Sequence, residues 1–180
     1  MPSVFVSPSL QEFNPYVDGG NEEYYMNLIA DELIPYLIAS GITVGRNSPE
    51  QTLSQAINQS NQGNYDLHLA LHSNASPPTM AGQLRGTDVY YNPVSTRGQR
   101  AANIIANNFK AIYPDPNLVK ALSTTTLAEL NRTTAPAVLI EIAYHDNPQD
   151  AQWIRDNIGE IARNLALSVT EFFGIPLIEP

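Results

Sequence analysis

Three side chains stand where this chain can do chemistry: Glu23, His72 and Glu141. Glu141 interrupts the run Ala137 to Ile142, in which five of six residues are apolar and three are β-branched. Such a run reads as a strand buried on both faces. A carboxylate near its end loses water, at a cost offset only by a cation, a metal or hydrogen bonds. His72 closes a second run, Asp66 to Ala75, where alternation puts His68, Ala70 and His72 on one face. A polar Ser-Asn-Ala loop and two prolines follow His72, so this histidine stands where a ligand enters, whereas His68 reads as core. Glu23 lies in the first turn of a helix, at the edge of its apolar stripe, where the helix dipole already favours an acid. Zinc in hydrolases takes His and Glu ligands with one position left for water, and a nearby second carboxylate can accept that water's proton. The three residues together point to metal-assisted hydrolysis.

The elements that position them follow from apolar spacing. Ser3 to Val6 reads as a first strand, ended by Ser7-Pro8-Ser9 and a long polar loop. Asn21 is an N-cap for a helix starting at Glu22-Glu23, with Met26, Ile29, Ala30, Leu33 and Leu37 inward and Pro35 expected to kink it or end it early. Ile42 to Val44 is a second strand, Leu53, Ala56 and Ile57 mark a short helix, and Arg85 to Tyr91 is the strand after the histidine run. A helix is expected from about 96 to 112, a mixed stretch from 117 to 132, and one last helix from Trp153 to Phe173, capped by Gly174. After the central strand the chain passes Tyr144, His145 and Asp146 to an Asn147-Pro148 helix start. Strands alternating with helices predict an α/β, three-layer domain. Residues 1–174 form that domain, and 175–180 a tail or linker edge.

Bulk composition narrows the partners. The 180 residues, 43% hydrophobic, suit one domain with a sizeable core. A formal charge of −9 with no basic stripe disfavours nucleic acid. The absence of cysteine removes disulfides and thiolate metal sites, leaving His and carboxylates as ligands. No run of 18 apolar residues predicts membrane insertion, and Met1 to Pro8 lacks the features of a signal peptide.

The segments E-Y-Y-M-N-L at Glu23 to Leu28, D-L-H-L-A-L-H-S-N-A at Asp66 to Ala75, G-T-D-V-Y-Y at Gly86 to Tyr91 and P-A-V-L-I-E-I at Pro136 to Ile142 occur in that order. Together they resemble the zinc-dependent N-acetylmuramoyl-L-alanine amidases, and the likeness runs from Val4 to Phe173. The resemblance implies a mixed sheet of about six strands flanked by helices. It further implies one Zn2+ held by Glu23 and His72, Glu141 as catalytic acid/base, and peptidoglycan or muropeptides as substrate. Asn74 and Arg85 are the expected substrate-binding residues. The place of action would be the cell wall or the extracellular space, in an autolysin or endolysin role. With no signal peptide in this chain, something else would export or release it, residence in the cytoplasm until release stays open, and a wall-binding module outside the chain would fit the tail.

One departure concerns the metal. Where the family has an Asp-Pro-Gly-His loop after the first strand, this chain has Ser7-Pro8-Ser9-Leu10, and leucine cannot bind zinc. His145 or Glu12 is the expected third ligand, with Gln11 a poorer one because an amide is not an ordinary zinc donor. Two other readings stay open on the sequence: a metal-depleted wall-binding or regulatory domain of the same fold, and a zinc peptidase or deacetylase acting on another amide.

Overall fold

The computed structural model describes residues 1–180. Six strands form one sheet: β1 (Ser3–Pro8), β2 (Thr43–Arg46), β3 (Leu67–Asn74), β4 (Thr87–Tyr91), β5 (Val119–Ser123) and β6 (Ala137–Tyr144). Their order is β2-β1-β3-β6-β4-β5, parallel throughout except that β4 runs antiparallel to β6. The sheet is therefore the expected mixed one of six strands. The helices are α1 (Glu22–Ala39), α2 (Leu53–Gly63), α3 (Thr96–Phe109), α4 (Ala128–Asn131), α5 (Pro148–Asp156) and α6 (Ile158–Phe173).

Alternation along the strands divides the core. Val4, Val6, Leu69, Leu71, Val89, Val138, Ile140 and Ile142 point to one side and pack on Met26, Ile29 and Leu33 of α1, Ala102 and Ile105 of α3, and Leu165 and Val169 of α6. The opposite side is thinner: Ala70, Leu130, Ala137 and Leu139 make a small cluster under α4. The same side presents His68, stacked on Phe5 with ring centroids 5.5 Å apart. On the lightly covered face His72, Glu141 and Asp88 share one rung across β3, β6 and β4.

Two local expectations are corrected. α1 runs through Pro35 to Ala39. Losing the hydrogen bond to the carbonyl four residues back is tolerated because Leu33 and Leu37 are fully buried on either side of the proline. The last helix is two helices, α5 and α6, divided at Asn157, whose φ of −126° and ψ of 24° leave the helical region and whose Nδ2 caps the Trp153 carbonyl at 2.7 Å. Asn21 caps α1 as its type predicts, accepting from the Tyr24 N–H at 2.8 Å. Gly174 ends α6 in the left-handed conformation at φ 70°. Ile175 and Leu177 pack on the main core and Ile178 donates its N–H to Ser40 Oγ at 2.9 Å, so the last residues lie along the domain.

Candidate active site

The site is built around His72, the last inward residue of β3 before a register shift between His72 and Asn74. Its ring lies between two buried acids. Nδ1 is 3.0 Å from Glu22 Oε1 and Nε2 is 2.9 Å from Glu129 Oε2. Burial by itself disfavours the imidazolium, but the carboxylates on both ring nitrogens overcome it and raise the His72 pKa well above the usual histidine value. Glu22 answers in kind. Burial pushes its pKa up, yet the His72 hydrogen bond and charge, with Asn14 Nδ2 donating to Oε2 at 2.7 Å, hold it below the ordinary carboxylate range.

Glu22 opens α1 and points inward with Met26 and Ile29, four and seven residues on, so one stripe carries both the acid and the core. Glu23 is turned about 100° from it. It is partly exposed, and desolvation, with the charges of Glu12 and Glu50 adding to it, raises its pKa. The structure therefore brings Glu22, rather than the expected Glu23, against His72. The spacing to Met26 and Ile29 was a readable signal for this.

Glu129 was not anticipated. It sits in the four-residue α4, within the stretch that looked mixed, and only 3% of it is exposed. Its Oε1 accepts from Ser7 Oγ at 2.5 Å and lies 3.1 Å from His68 Nε2, while His68 Nδ1 meets Ser60 Oγ at 2.9 Å. Burial works against its charge, but the hydrogen bonds of His68 and His72 hold its pKa far below normal. His68 is a core residue as expected, and also the second imidazole gripping this carboxylate.

Glu141 is the third acid. Its Oε2 is shut off from solvent and has no hydrogen-bond partner. Desolvation is the main cause of a pKa raised to about 7. The nearby His72 charge opposes that rise, and Glu22, Asp88 and Glu129 add to it. A cleft of about 200 Å³ opens beside Glu141, lined by Asn74, Tyr90, Thr124, Thr126 and Leu127. A second cavity of about 420 Å³ reaches His72 and Glu129 past Leu10, Gln11, Phe13 and Leu53.

The remaining expected site residues are placed as follows. Asn74 faces the Glu141 cleft; its Oδ1 accepts the Ala75 N–H at 2.9 Å, leaving Nδ2 to donate to a ligand. Arg85 instead clamps the buried Asp150, at 3.3 Å, where Tyr113 Oη and the Gly86 and Tyr144 N–H groups also converge. His145 is buried, bonded through Nδ1 to Ser73 Oγ at 2.9 Å and stacked on Tyr16 at 5.4 Å, and desolvation lowers its pKa. Glu12 is exposed on the loop. From that loop it is Gln11 that reaches the site, with Nε2 3.4 Å from His72 Nδ1.

The donor set can be tested against a zinc ion. No three His, Cys, Asp or Glu side chains converge on a common point, because Glu22 and Glu129 contact opposite sides of the His72 ring. What fits is a pair. Glu22 Oε1 and His72 Nδ1, 3.0 Å apart, have nearly the spacing of two ligands on one tetrahedral zinc, roughly 3.3 Å for bonds of about 2 Å. Beside them stands the unpartnered oxygen of Glu141. The pair is one donor short of the three protein ligands usual for catalytic zinc.

Comparison with known proteins agrees on the fold. Residues 13–171 match the family model described as N-acetylmuramoyl-L-alanine amidase, a match that begins just past the Ser7 to Leu10 loop. The chain superposes with a TM-score of 0.83 on the amidase AmiC2 of Nostoc punctiforme, at 16% identity over 96% of this chain and 97% of that one. It superposes equally, 0.83, on the catalytic domain of the amidase CwlV from Paenibacillus polymyxa, at 18% identity over 98% and 100%. The catalytic domain of the endolysin CD27L, which targets Clostridia difficile, gives 0.77 at 22% identity over 95% and 98%. Among curated proteins, none matches the chain by sequence.

Proposed function

This chain belongs to the N-acetylmuramoyl-L-alanine amidase family, hydrolases of the amide between N-acetylmuramic acid and L-alanine in peptidoglycan, and from that premise we propose how its own residues perform the reaction. The observation that carries the reading is Glu141: a strand-end carboxylate with one buried, unpartnered oxygen and a pKa of about 7, on the same rung as His72. A group with that pKa can both take and return a proton at neutral pH. Ionised Glu141 accepts a proton from the attacking water as its oxygen bonds to the lactyl carbonyl carbon. The same carboxyl then delivers the proton to the alanine nitrogen as the C–N bond breaks, because an amide anion is too poor a leaving group to depart unprotonated. The products are the lactyl acid and a peptide with a free L-alanine amine.

Glu22 and His72 are the residues that would hold a single zinc ion. When bound, the ion supplies Lewis acidity beside Glu141 and lowers the pKa of water toward neutrality. The cleft beside Glu141 seats the amide-rich junction of sugar and stem peptide. There Asn74 Nδ2 and the Tyr90 hydroxyl, kept neutral by a pKa raised to about 12, act as hydrogen-bond donors. Arg85, held on Asp150, contributes rigidity to the start of β4 rather than substrate contact. No helix is long and apolar enough to cross a membrane, and the cell wall is the proposed place of action, where a separate wall-binding module would assist.

The test is mass spectrometry of purified sacculi after digestion with zinc-supplemented protein. New L-alanine amines on otherwise intact stem peptides are expected, and they disappear with Glu141→Gln. Cleavage at another amide, or undiminished cleavage by Glu141→Gln, overturns the proposal.

A further inference from the structure

We propose that the cavity behind Leu10, Phe13 and Leu53 is the seat of the muramyl sugar, with Phe13 its stacking platform and a specificity-determining residue. The proposal rests on the amidase reading above for the identity of the substrate. A pyranose has two faces of C–H groups and an edge of hydroxyl and acetamido groups. A flat apolar side chain with polar groups around it therefore holds such a ring. The cavity has that composition. Phe13 is 73% exposed and Leu53 42%, and Leu10 completes an apolar rim. Gln51 stands at the edge, where its Oε1 accepts the Ser48 N–H at 2.8 Å and Nε2 is left to donate. The volume of about 420 Å³ lies within the range of small-molecule sites, about 300–1,000 Å³.

The rim is built in advance. Asn14, next to Phe13, donates through Nδ2 to Gln11 Oε1 at 2.9 Å and to Glu22 Oε2 at 2.7 Å, and its carbonyl accepts the Glu22 N–H at 2.9 Å. The loop carrying Phe13 is thus tied to the first turn of α1. Leu53 opens α2 directly after its cap, Thr52, whose Oγ1 accepts the Gln55 N–H at 3.3 Å while Gln55 Oε1 accepts the Thr52 N–H at 2.8 Å. A platform on hydrogen-bonded backbone loses little freedom when a ligand lands on it.

Charge and spacing choose the sugar over the stem peptide. No lysine or arginine lines the cavity, whereas Glu129 does, and the exposed Glu12 and Glu50 flank Phe13 and Gln51 in the chain. Arg132, bonded to Ser54 Oγ at 3.3 Å, is outside that lining. An uncharged N-acetylated sugar is not opposed by such walls, but the free carboxylates of the stem peptide are repelled. On the other flank, beyond Glu141, the exposed Lys120 lies opposite Asp88 in register, and its charge acts on that carboxyl. His72 lines the cavity and Glu141 the cleft, on neighbouring strands about 4.8 Å apart. The short lactyl arm of the muramyl group covers that step, with the sugar on the His72 side and the scissile carbonyl at Glu141.

Amide NMR of the full-length chain reads the assignment as binding rather than turnover. The chain is titrated separately with N-acetylmuramoyl methylamide and with a lactyl stem peptide lacking the sugar. The sugar probe is expected to shift Leu10, Phe13 and Leu53, and the peptide Asn74, Thr124 and Thr126. Phe13→Ala is expected to weaken the sugar probe about 3–10-fold, and Phe13→Tyr to hold it within about twofold. On substrates, the kcat/KM preference for the muramyl peptide over the lactyl peptide is expected to fall about 3–10-fold in Phe13→Ala. Sugar shifts centred on Thr124 and Thr126, absence of sugar binding, or undiminished binding by Phe13→Ala overturns the proposal. If the chain cleaves no muropeptide, the amidase reading falls, and the titration still decides where the sugar sits.

Discussion

Replacing Glu141 with glutamine has an effect on stability whose size and sign follow from the site. The carboxyl is moved from an ordinary 4.5 to about 7 in the folded chain, chiefly by desolvation. The folded state thus holds its proton more tightly than the unfolded one. Stability is fully present below about pH 4.5, is lost as pH rises through the interval to 7, and levels off above it. At 1.36 kcal/mol per unit, the shift amounts to roughly 3 kcal/mol at pH 8, and about 2 kcal/mol after allowing for the solvent that reaches part of the residue. Glutamine has nearly the same shape and no charge to bury. Metal-free Glu141→Gln is therefore expected to be more stable than the wild type by about 2 kcal/mol at pH 8, and by less than about 1 kcal/mol at pH 5. Urea unfolding in chelator at the two pH values reads this directly. Zinc should narrow the gap, because a cation beside Glu141 relieves the ionised form. A variant no more stable at pH 8, or equally stabilised at both pH values, would refute the argument that Glu141 is held near neutrality by burial.

Other substitutions separate the roles of neighbouring residues. His72→Asn removes the cation between Glu22 and Glu129, and the two buried acids left behind should cost about 3–5 kcal/mol at neutral pH in thermal or urea unfolding. The loss should shrink in acid, where those carboxyls protonate. Glu22→Gln should weaken zinc binding at least about tenfold, whereas Glu23→Gln should leave it within about threefold, in a chelator competition assay. Leu10→His, in the loop that carries no ligand, should tighten zinc by about tenfold or more in the same assay; unchanged affinity would show that this loop does not reach the metal.

Strand β6, the rung residue Glu141 and the position of His72 were legible because apolar runs and period-two alternation are local properties. Glu22 was legible as well, from its spacing to Met26 and Ile29, but the first-turn preference for acids makes Glu22 and Glu23 look alike unless the stripe is followed back to its first residue. Glu129 was not legible. Its helix is too short to show a period, and its partners His72, His68 and Ser7 are 57, 61 and 122 residues away. The break at Asn157 leaves no mark in the apolar pattern, because apolar residues continue across it in register. Pro35 was read by its local cost, while burial of Leu33 and Leu37 outweighed that cost.

The central claim is that Glu22 and His72 form the metal seat beside Glu141. X-ray absorption at the zinc edge of the loaded protein tests it most directly. The account predicts stoichiometric zinc with a single imidazole nitrogen and otherwise oxygen neighbours, and loss of that imidazole signal in His72→Asn. Two or more imidazoles around the ion, or an unchanged spectrum in His72→Asn, would contradict it.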